Sequence, residues 1–160
     1  MSVCRRRRRP CFLVGYPRRA WIGLLETHKQ LTRALDAELE SRHGLSLSGL
    51  ELLGRLARGD GHRLSALAQE SGLSLSRVSR LIDLLEARNL VRRETCPQDA
   101  RAVEAHLTPE GLGLVRDAQA THFASVQLRF FDQLQPGELE ALARVFRRFS
   151  GHAASSCLGE

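Results

Sequence analysis

In the stretch LSLSRVSRLIDLLEARNLVRRE, residues 73–94, three serines and two arginines fall within seven positions: Ser74, Ser76, Arg77, Ser79 and Arg80. A hydroxyl makes a short hydrogen bond as donor or acceptor, and a guanidinium is a planar fork whose paired N–H groups meet two acceptors at once. Such a set suits the acceptor edges of nucleic-acid bases and the oxygens of phosphates. The bland alternative is a solvated face on which Ser74 is a plain helix N-cap. A helix starting near Ser74 places Leu75, Val78, Leu81, Ile82 and Leu85 on one apolar stripe at i, i+3, i+4, i+7 spacing. Ser76, Ser79, Arg80 and Asp83 then lie opposite, with Arg77 flanking.

The elements around this helix follow from periodicity. Between Ala20 and about Arg42, Trp21, Leu24, Leu25, His28, Leu31, Leu35 and Leu39 recur at helical spacing, and Gly44 closes the segment. Ser48 and Glu51 read as a capping box for a second helix carrying Leu50, Leu52, Leu53 and Leu56 and ending near Arg58, where GDG at 59–61 is turn chemistry. A third, short helix spans Leu64 to Ser71 with Gly72 after it, and the fourth stops near Arg88 and Asn89. The period then changes to two. NLVRRE and AVEAHLT read as two strands, with Val103, Ala105 and Leu107 facing one way and Glu104 and His106 the other, joined by a polar tip with Pro97. Thr108, Pro109 and Glu110 start a fifth helix expected to reach about Gln133, and a sixth runs from Pro136 to about Phe149. The fold expected is mainly α, six helices with a small β-hairpin.

Charge narrows the partner. The formal net charge of the 160 residues is +6, but Arg5 to Arg9, Arg18 and Arg19 place seven bases and no acid in the first 19 positions. The rest is close to neutral, so any anion-binding surface must be a local patch. Residues 1–19 read as a disordered basic tail, with a non-specific phosphate-binding arm as the alternative. The apolar piece Cys11 to Tyr16 lies between prolines and is too short for a signal sequence or a membrane span, and no later segment is apolar enough. A cytoplasmic protein without a membrane partner is expected. Cys4, Cys11, Cys96 and Cys157 contain no C-x-x-C pair and the six histidines do not cluster, so neither metal nor cofactor is implied. No nucleophile elbow, phosphate loop or acid pair is present, which argues against an enzyme.

Two helices that cross closely need a small residue in the first, a glycine in the turn and apolar residues at fixed places in the second. Ala68, Gly72, Val78 and Leu81 meet this spacing. Together with the hairpin, the stretch LSALAQESGLSLSRVSRLIDLLEARNLVRRE followed by DARAVEAHLTPEG resembles the core of a MarR-type regulator. The wing pattern of that family (Asp, any residue, Arg, five residues, Leu-Thr, two residues, Gly) falls here on Asp99, Arg101, Leu107, Thr108 and Gly111. The resemblance covers about Trp21 to Phe149.

The resemblance implies a winged helix-turn-helix and an obligate homodimer binding pseudo-palindromic double-stranded DNA, usually a repressor relieved by a small anionic or phenolic ligand. The expected layout is a domain over residues 20–150, with a DNA-binding lobe at about 46–108, dimerisation helices at about 20–42 and 109–150, and a flexible end at 151–160. Ser76, Arg77 and Arg80 would face bases or the groove edge, with Ser74 and Ser79 on phosphate. Arg92 and Arg93 are assigned to the DNA backbone, although alternation puts them on opposite faces, so one can serve the fold instead. Arg101 would enter the minor groove, with Asp99 holding its fork. An effector crevice could be lined by Trp21, Leu24, His28, Leu56 and His122. Two other readings stand beside this: a regulator controlled by thiol oxidation at Cys96 or Cys11, and a winged-helix protein-interaction module without specific DNA binding.

Overall fold

A computed structural model describes residues 15–59, 61–96 and 99–149, without the side chains of Cys96 and residues 99–102. The Arg5 to Arg9 run, Cys4, Cys11, Cys157 and residues 151–160 lie outside the described residues, as do the side chains of Asp99 and Arg101.

The first helix, α1, spans Tyr16–His43 and starts before the expected Ala20, because Pro17 in its opening turn lacks only an N–H that has no partner there in any case. Gly44, left-handed at φ 59°, ends it. The Arg88 guanidinium closes that end by donating to the carbonyls of Gly44 and His43, the latter at 2.9 Å. In α2, Leu47–Leu56, the cap is Ser46 and not Ser48. Ser46 Oγ accepts from Gly49 N at 3.1 Å and Asp36 Oδ1 from Leu47 N at 2.7 Å, so the first-turn donors are met one residue pair earlier than the Ser48–Glu51 box requires. The helix ends at Leu56, two residues short of Arg58.

Next come β1, His62–Arg63, and α3, Leu64–Ser71. The strand is a third one beyond the two expected; two residues are too few to show a period, and pairing with Ala105 and Glu104 creates it. Helix α4 covers Leu75–Ala87, capped by Ser74. Leu75, expected on the buried stripe, is 53% exposed, because at the first helical position it projects past the edge of the core. Strands β2, Val91–Cys96, and β3, Asp99–Leu107, form an antiparallel hairpin, and the sheet order is β1-β3-β2.

Helix α5, Pro109–Arg129, stops four residues before the expected Gln133. Phe130 leaves helical geometry (φ −125°, ψ −61°), and a 3-10 turn follows over Phe131–Gln133. Gln127 Nε2 donates to Asp132 Oδ1 at 2.6 Å and Gln133 Nε2 to the Leu128 carbonyl at 3.1 Å, hydrogen bonds that a continuous helix would not permit. The last helix, α6, runs Glu138–Phe149 rather than from Pro136, with the Glu138 carboxylate accepting from Gln135 N at 2.7 Å.

The core joins α2, α3, α4, the sheet and α5. Leu52, Leu53, Leu67, Val78, Ile82 and Ala105 have no exposed surface, and Val115 and Ala118 cover them from α5. Helix α1 is tied to α5 by His43 Nε2 and Thr121 Oγ1 at 2.8 Å and by Ser125 Oγ donating to Glu38 Oε2 at 2.7 Å. That hydroxyl is the main reason the Glu38 carboxyl sits below the usual carboxylate range; desolvation opposes it, and Arg42 and Arg129 add to the lowering.

The Leu-Thr-x-x-Gly end of the wing pattern is a joint. Thr108 Oγ1 accepts from Gly111 N at 3.0 Å and donates to the Asn89 carbonyl at 2.8 Å, while Thr108 N donates to the Leu90 carbonyl at 3.1 Å. This brings the Leu90 carbonyl so near α5 that a Cβ on Gly111 would lie 2.1 Å from its oxygen. Backbone cannot yield as a side-chain tip can. Gly111→Ala is therefore expected to lower unfolding free energy by about 1–3 kcal/mol in a urea titration, whereas Gly113→Ala, with nothing within 4 Å of the added carbon, should leave it equal or higher.

Candidate functional site

Helix α4 is rotationally fixed. Val78, Ile82 and Leu85 are buried, so the opposite face has to point outward, and Ser76, Arg77, Arg80 and Asp83 are exposed there with Ser79 half-buried. Ser74 Oγ accepts from Arg77 N at 3.3 Å and lies 3.2 Å from Ser76 Oγ. The serine that could hold phosphate is thus also the cap that starts the helix. The Arg80 Nε returns to the Ser76 carbonyl at 3.3 Å, which fixes the stem and leaves the terminal nitrogens without a partner among the described residues. The Arg77 guanidinium has none there either.

Neighbouring arginines differ sharply. Arg93 donates to Glu86 Oε2 and meets Asp83 Oδ1, each at 2.6 Å, and reaches the Ser79 carbonyl at 3.1 Å; its own N–H donates to Glu86 Oε1 at 3.1 Å. Burial would lower the Arg93 pKa, but Asp83 and Glu86 together outweigh it and the net shift is upward. Arg93 therefore clamps β2 to α4. Arg92, on the other face, pairs with Glu94 and is open to solvent. Glu94 stands opposite Glu104 across the hairpin, and His106 Nε2, 3.4 Å from Glu94 and 3.9 Å from Glu104, lies between the two carboxylates. Asp99 and Arg101 occupy the hairpin-tip end of β3, where Asp99 is in register with Cys96.

The residues named for an effector crevice are not gathered within one chain. Trp21, Leu24 and His28 are exposed on the first half of α1, and Leu56 is core. His122 packs edge-on against Phe123 on α5, and burial lowers its pKa. Leu56 lines a cleft of about 330 Å³, but with Ala57, Gly59, Leu107, Thr108, Pro109 and Leu112.

Two structural groups escaped the reading of the sequence. Arg55, nearly buried, bridges Glu51 at 2.9 Å and Glu70 at 3.3 Å, pinning α2 to α3; its i+4 spacing from Glu51 was a usable signal, whereas Glu70 is not. Arg88, where the fourth helix was expected to stop, serves the end of α1.

The contrast between the two wing arginines is measurable. Arg93→Ala should cost about 1–2 kcal/mol in chemical denaturation, below the several kcal/mol of a fully buried pair because Asp83 and Glu86 keep contact with water. Arg92→Ala, with a side chain 57% exposed, should stay within about 0.5 kcal/mol.

Known proteins resemble this chain in sequence and shape. A sequence profile of the MarR family matches residues 43–102. The HTH-type transcriptional regulator MhqR of Bacillus subtilis is 25% identical over 107 residues, which span 67% of this chain and 73% of MhqR. The crystal structure of AbsC, a MarR family transcriptional regulator from Streptomyces coelicolor, superposes with a TM-score of 0.77 at 37% identity, covering 88% of this chain and 95% of AbsC. Sco3205, a MarR family transcriptional regulator of the same organism solved in complex with DNA, gives a TM-score of 0.80 at 30% identity over 92% of this chain and 93% of its own. With a capped, outward-facing arginine helix, a Thr108–Gly111 wing joint and this likeness over nearly the whole length of both relatives, the chain belongs to the MarR family of winged helix-turn-helix transcriptional regulators.

Proposed function

We propose that the protein is a homodimeric, sequence-specific DNA-binding transcriptional regulator, a repressor released by a small phenolic or anionic ligand. The observation that carries this is the pair of guanidiniums on α4, Arg77 and Arg80, whose terminal nitrogens meet no acceptor among the described residues although carboxylates lie on the same helix. Asp83 and Glu86 are occupied by Arg93, so the outer face keeps its positive charge. In a major groove, Ser76, Arg77 and Arg80 would read base edges while Ser74, Ser79 and Arg92 hold phosphates. Arg101 at the hairpin tip would enter the adjoining minor groove, with Asp99 orienting it. Arg93 is the member of the wing pair that serves the fold. Sco3205, solved with DNA, supports the reading by its likeness to this chain.

The dimer follows from surface left uncovered. Leu24 and Leu25 of α1, Phe123 and Leu128 of α5, and Leu139 and Val145 of α6 are all exposed. Burying them against a second copy would make residues 46–108 the DNA lobe and residues 20–42 and 109–150 the dimerisation helices. It would also bring Trp21, Leu24 and His28 of α1 toward a neighbour, where an effector crevice with His122 and Leu56 could form. No helix among the described residues is long and apolar enough to cross a membrane, and the proposed place of action is the cytoplasm.

Selection of duplexes from a random pool tests the whole reading. Recovered sequences should be two-fold palindromes with half-sites about 10 bp apart centre to centre, and affinity should fall steeply with salt. Arg80→Ala should weaken the selected duplex by about 1–3 kcal/mol and relax preference at one position per half-site. Light scattering should give twice the 17.8 kDa chain mass. A monomer, or an Arg80→Ala protein of unchanged affinity, removes the corresponding part.

A further inference from the structure

An exposed leucine sits at the start of α4, among the groups that the proposed function aims at DNA. Leu75 is the first residue of the helix, 53% exposed, and its neighbours on either side are the hydroxyls of Ser74 and Ser76, which lie 3.2 Å apart, followed by Arg77. Single exposed leucines are common and need no explanation by themselves. This one is different in its setting: beyond it α4 turns its outer face to solvent as Ser76, Arg77, Arg80 and Asp83, and the only other large apolar side chain exposed on the helix among the described residues, Leu84, stands more than two turns away. The turn before it is also open, since nothing lies within 4 Å of a carbon built on Gly72.

We infer that Leu75 is a specificity residue that reads thymine through its 5-methyl group. A helix-turn-helix presents the N-terminal residues of its second helix to the base edges, and the thymine methyl is the one apolar group that the major groove displays. The occupant follows from where the leucine sits. Arg77 and Arg80 stand two and five positions further along the same helix, with no acceptor for the Arg77 guanidinium or the Arg80 terminal nitrogens among the described residues, and a duplex edge offers paired acceptors beside a methyl on adjacent base pairs. A protein partner would have to match the same forks with carboxylates while repelling Asp83. The inference rests on the DNA-binding reading above and adds a base preference that the arginines and serines do not supply. Arginine in the groove selects guanine and serine discriminates little, whereas contact with Leu75 distinguishes thymine from cytosine, which lacks the methyl.

The test uses the full chain and a duplex recovered by selection, with each symmetric pair of thymines replaced in turn by deoxyuridine, which deletes only the methyl groups. At one pair, wild-type affinity is expected to fall about fourfold per methyl, about fifteenfold for both half-sites together. Leu75→Ala should bind the unmodified duplex as weakly as wild type binds the uracil form, and should lose nothing further on uracil. Its thermal midpoint should match wild type, because the side chain lies outside the core. Wild-type indifference to uracil at every position overturns the inference, as does a Leu75→Ala protein that keeps full sensitivity to the methyl. The uracil series on wild-type protein stands even if the variant is poorly folded. Failure of wild type to select any duplex is a separate result: it rejects DNA binding itself, and Leu75 with it.

Discussion

The burial of Val78, Ile82 and Leu85 in the core that also holds Leu52, Leu53 and Leu67 is the constraint on which the rest of this molecule depends. Three side chains along one line of a helix remove its freedom to rotate, so the polar face of α4 is set by packing rather than by its own chemistry. A leucine core of this density also makes the setting stiff: a turn of the helix about its axis would open cavities on one side and overlaps on the other. The Arg77 guanidinium and the terminal nitrogens of Arg80 consequently keep to the outer face with no acceptor among the described residues, and that hydrogen-bonding capacity is left for something else.

Arginine is used here for two opposed purposes, and the surrounding carboxylates decide which. Arg55, Arg88, Arg93 and Arg129 each bind groups contributed by another element: Glu70, the end of α1, the α4 carboxylates and Glu38. These are half-buried or interlocking contacts in which a rigid fork loses little freedom on binding. Arg80 stands three residues before Asp83 on the same helix, a spacing at which the two would attract each other along an exposed face. Arg93 prevents this by engaging both carboxylates from the wing side. The Arg93 guanidinium thereby holds the carboxylate that Arg80 would otherwise reach. The arrangement also couples the hairpin to α4, so that any surface formed by both moves as one body.

Legibility in the sequence followed length and repetition. The third helix could be read to the residue, and the fourth, expected to stop near Arg88 and Asn89, ends at Ala87, because Gly72 and the apolar spacing gave several agreeing signals. Helix starts were read less well: Ser46 and Ser48 are equally good caps by type, and only the reach of Asp36 from α1 to Leu47 N selects the first. Such a contact spans eleven positions and has no local trace. The strand at His62–Arg63 exists only through its partner, and the break at Phe130 depends on hydrogen bonds that form after the helix has ended. At the site, types and spacing gave the helix face, but not that Arg93 belongs to the fold, because alternation says which residues oppose each other without saying which side meets the helix. Leu75 is the instructive exception: heptad-like spacing counts it with the core, while the end of a helix extends past the neighbours that would cover it.

The distribution of apolar surface carries the last step. Helix α6 has no buried residue among those described, although Leu139, Val145, Phe146 and Phe149 recur along it at helical spacing. A twelve-residue helix is marginal in water on its own and is ordinarily held by packing of its apolar side. Leu139 and Val145 of this helix are exposed, as are Phe123 and Leu128 of α5. Likewise, the first half of α1 runs beyond the core with Trp21, Leu24 and Leu25 uncovered. In the homodimer proposed above, folding of these two ends and association with a second copy would be a single process, while the core that α5 closes with Val115 and Ala118 is complete within one chain. Under that proposal, control of the spacing between two α4 helices would lie in the terminal helices, remote from Arg77 and Arg80.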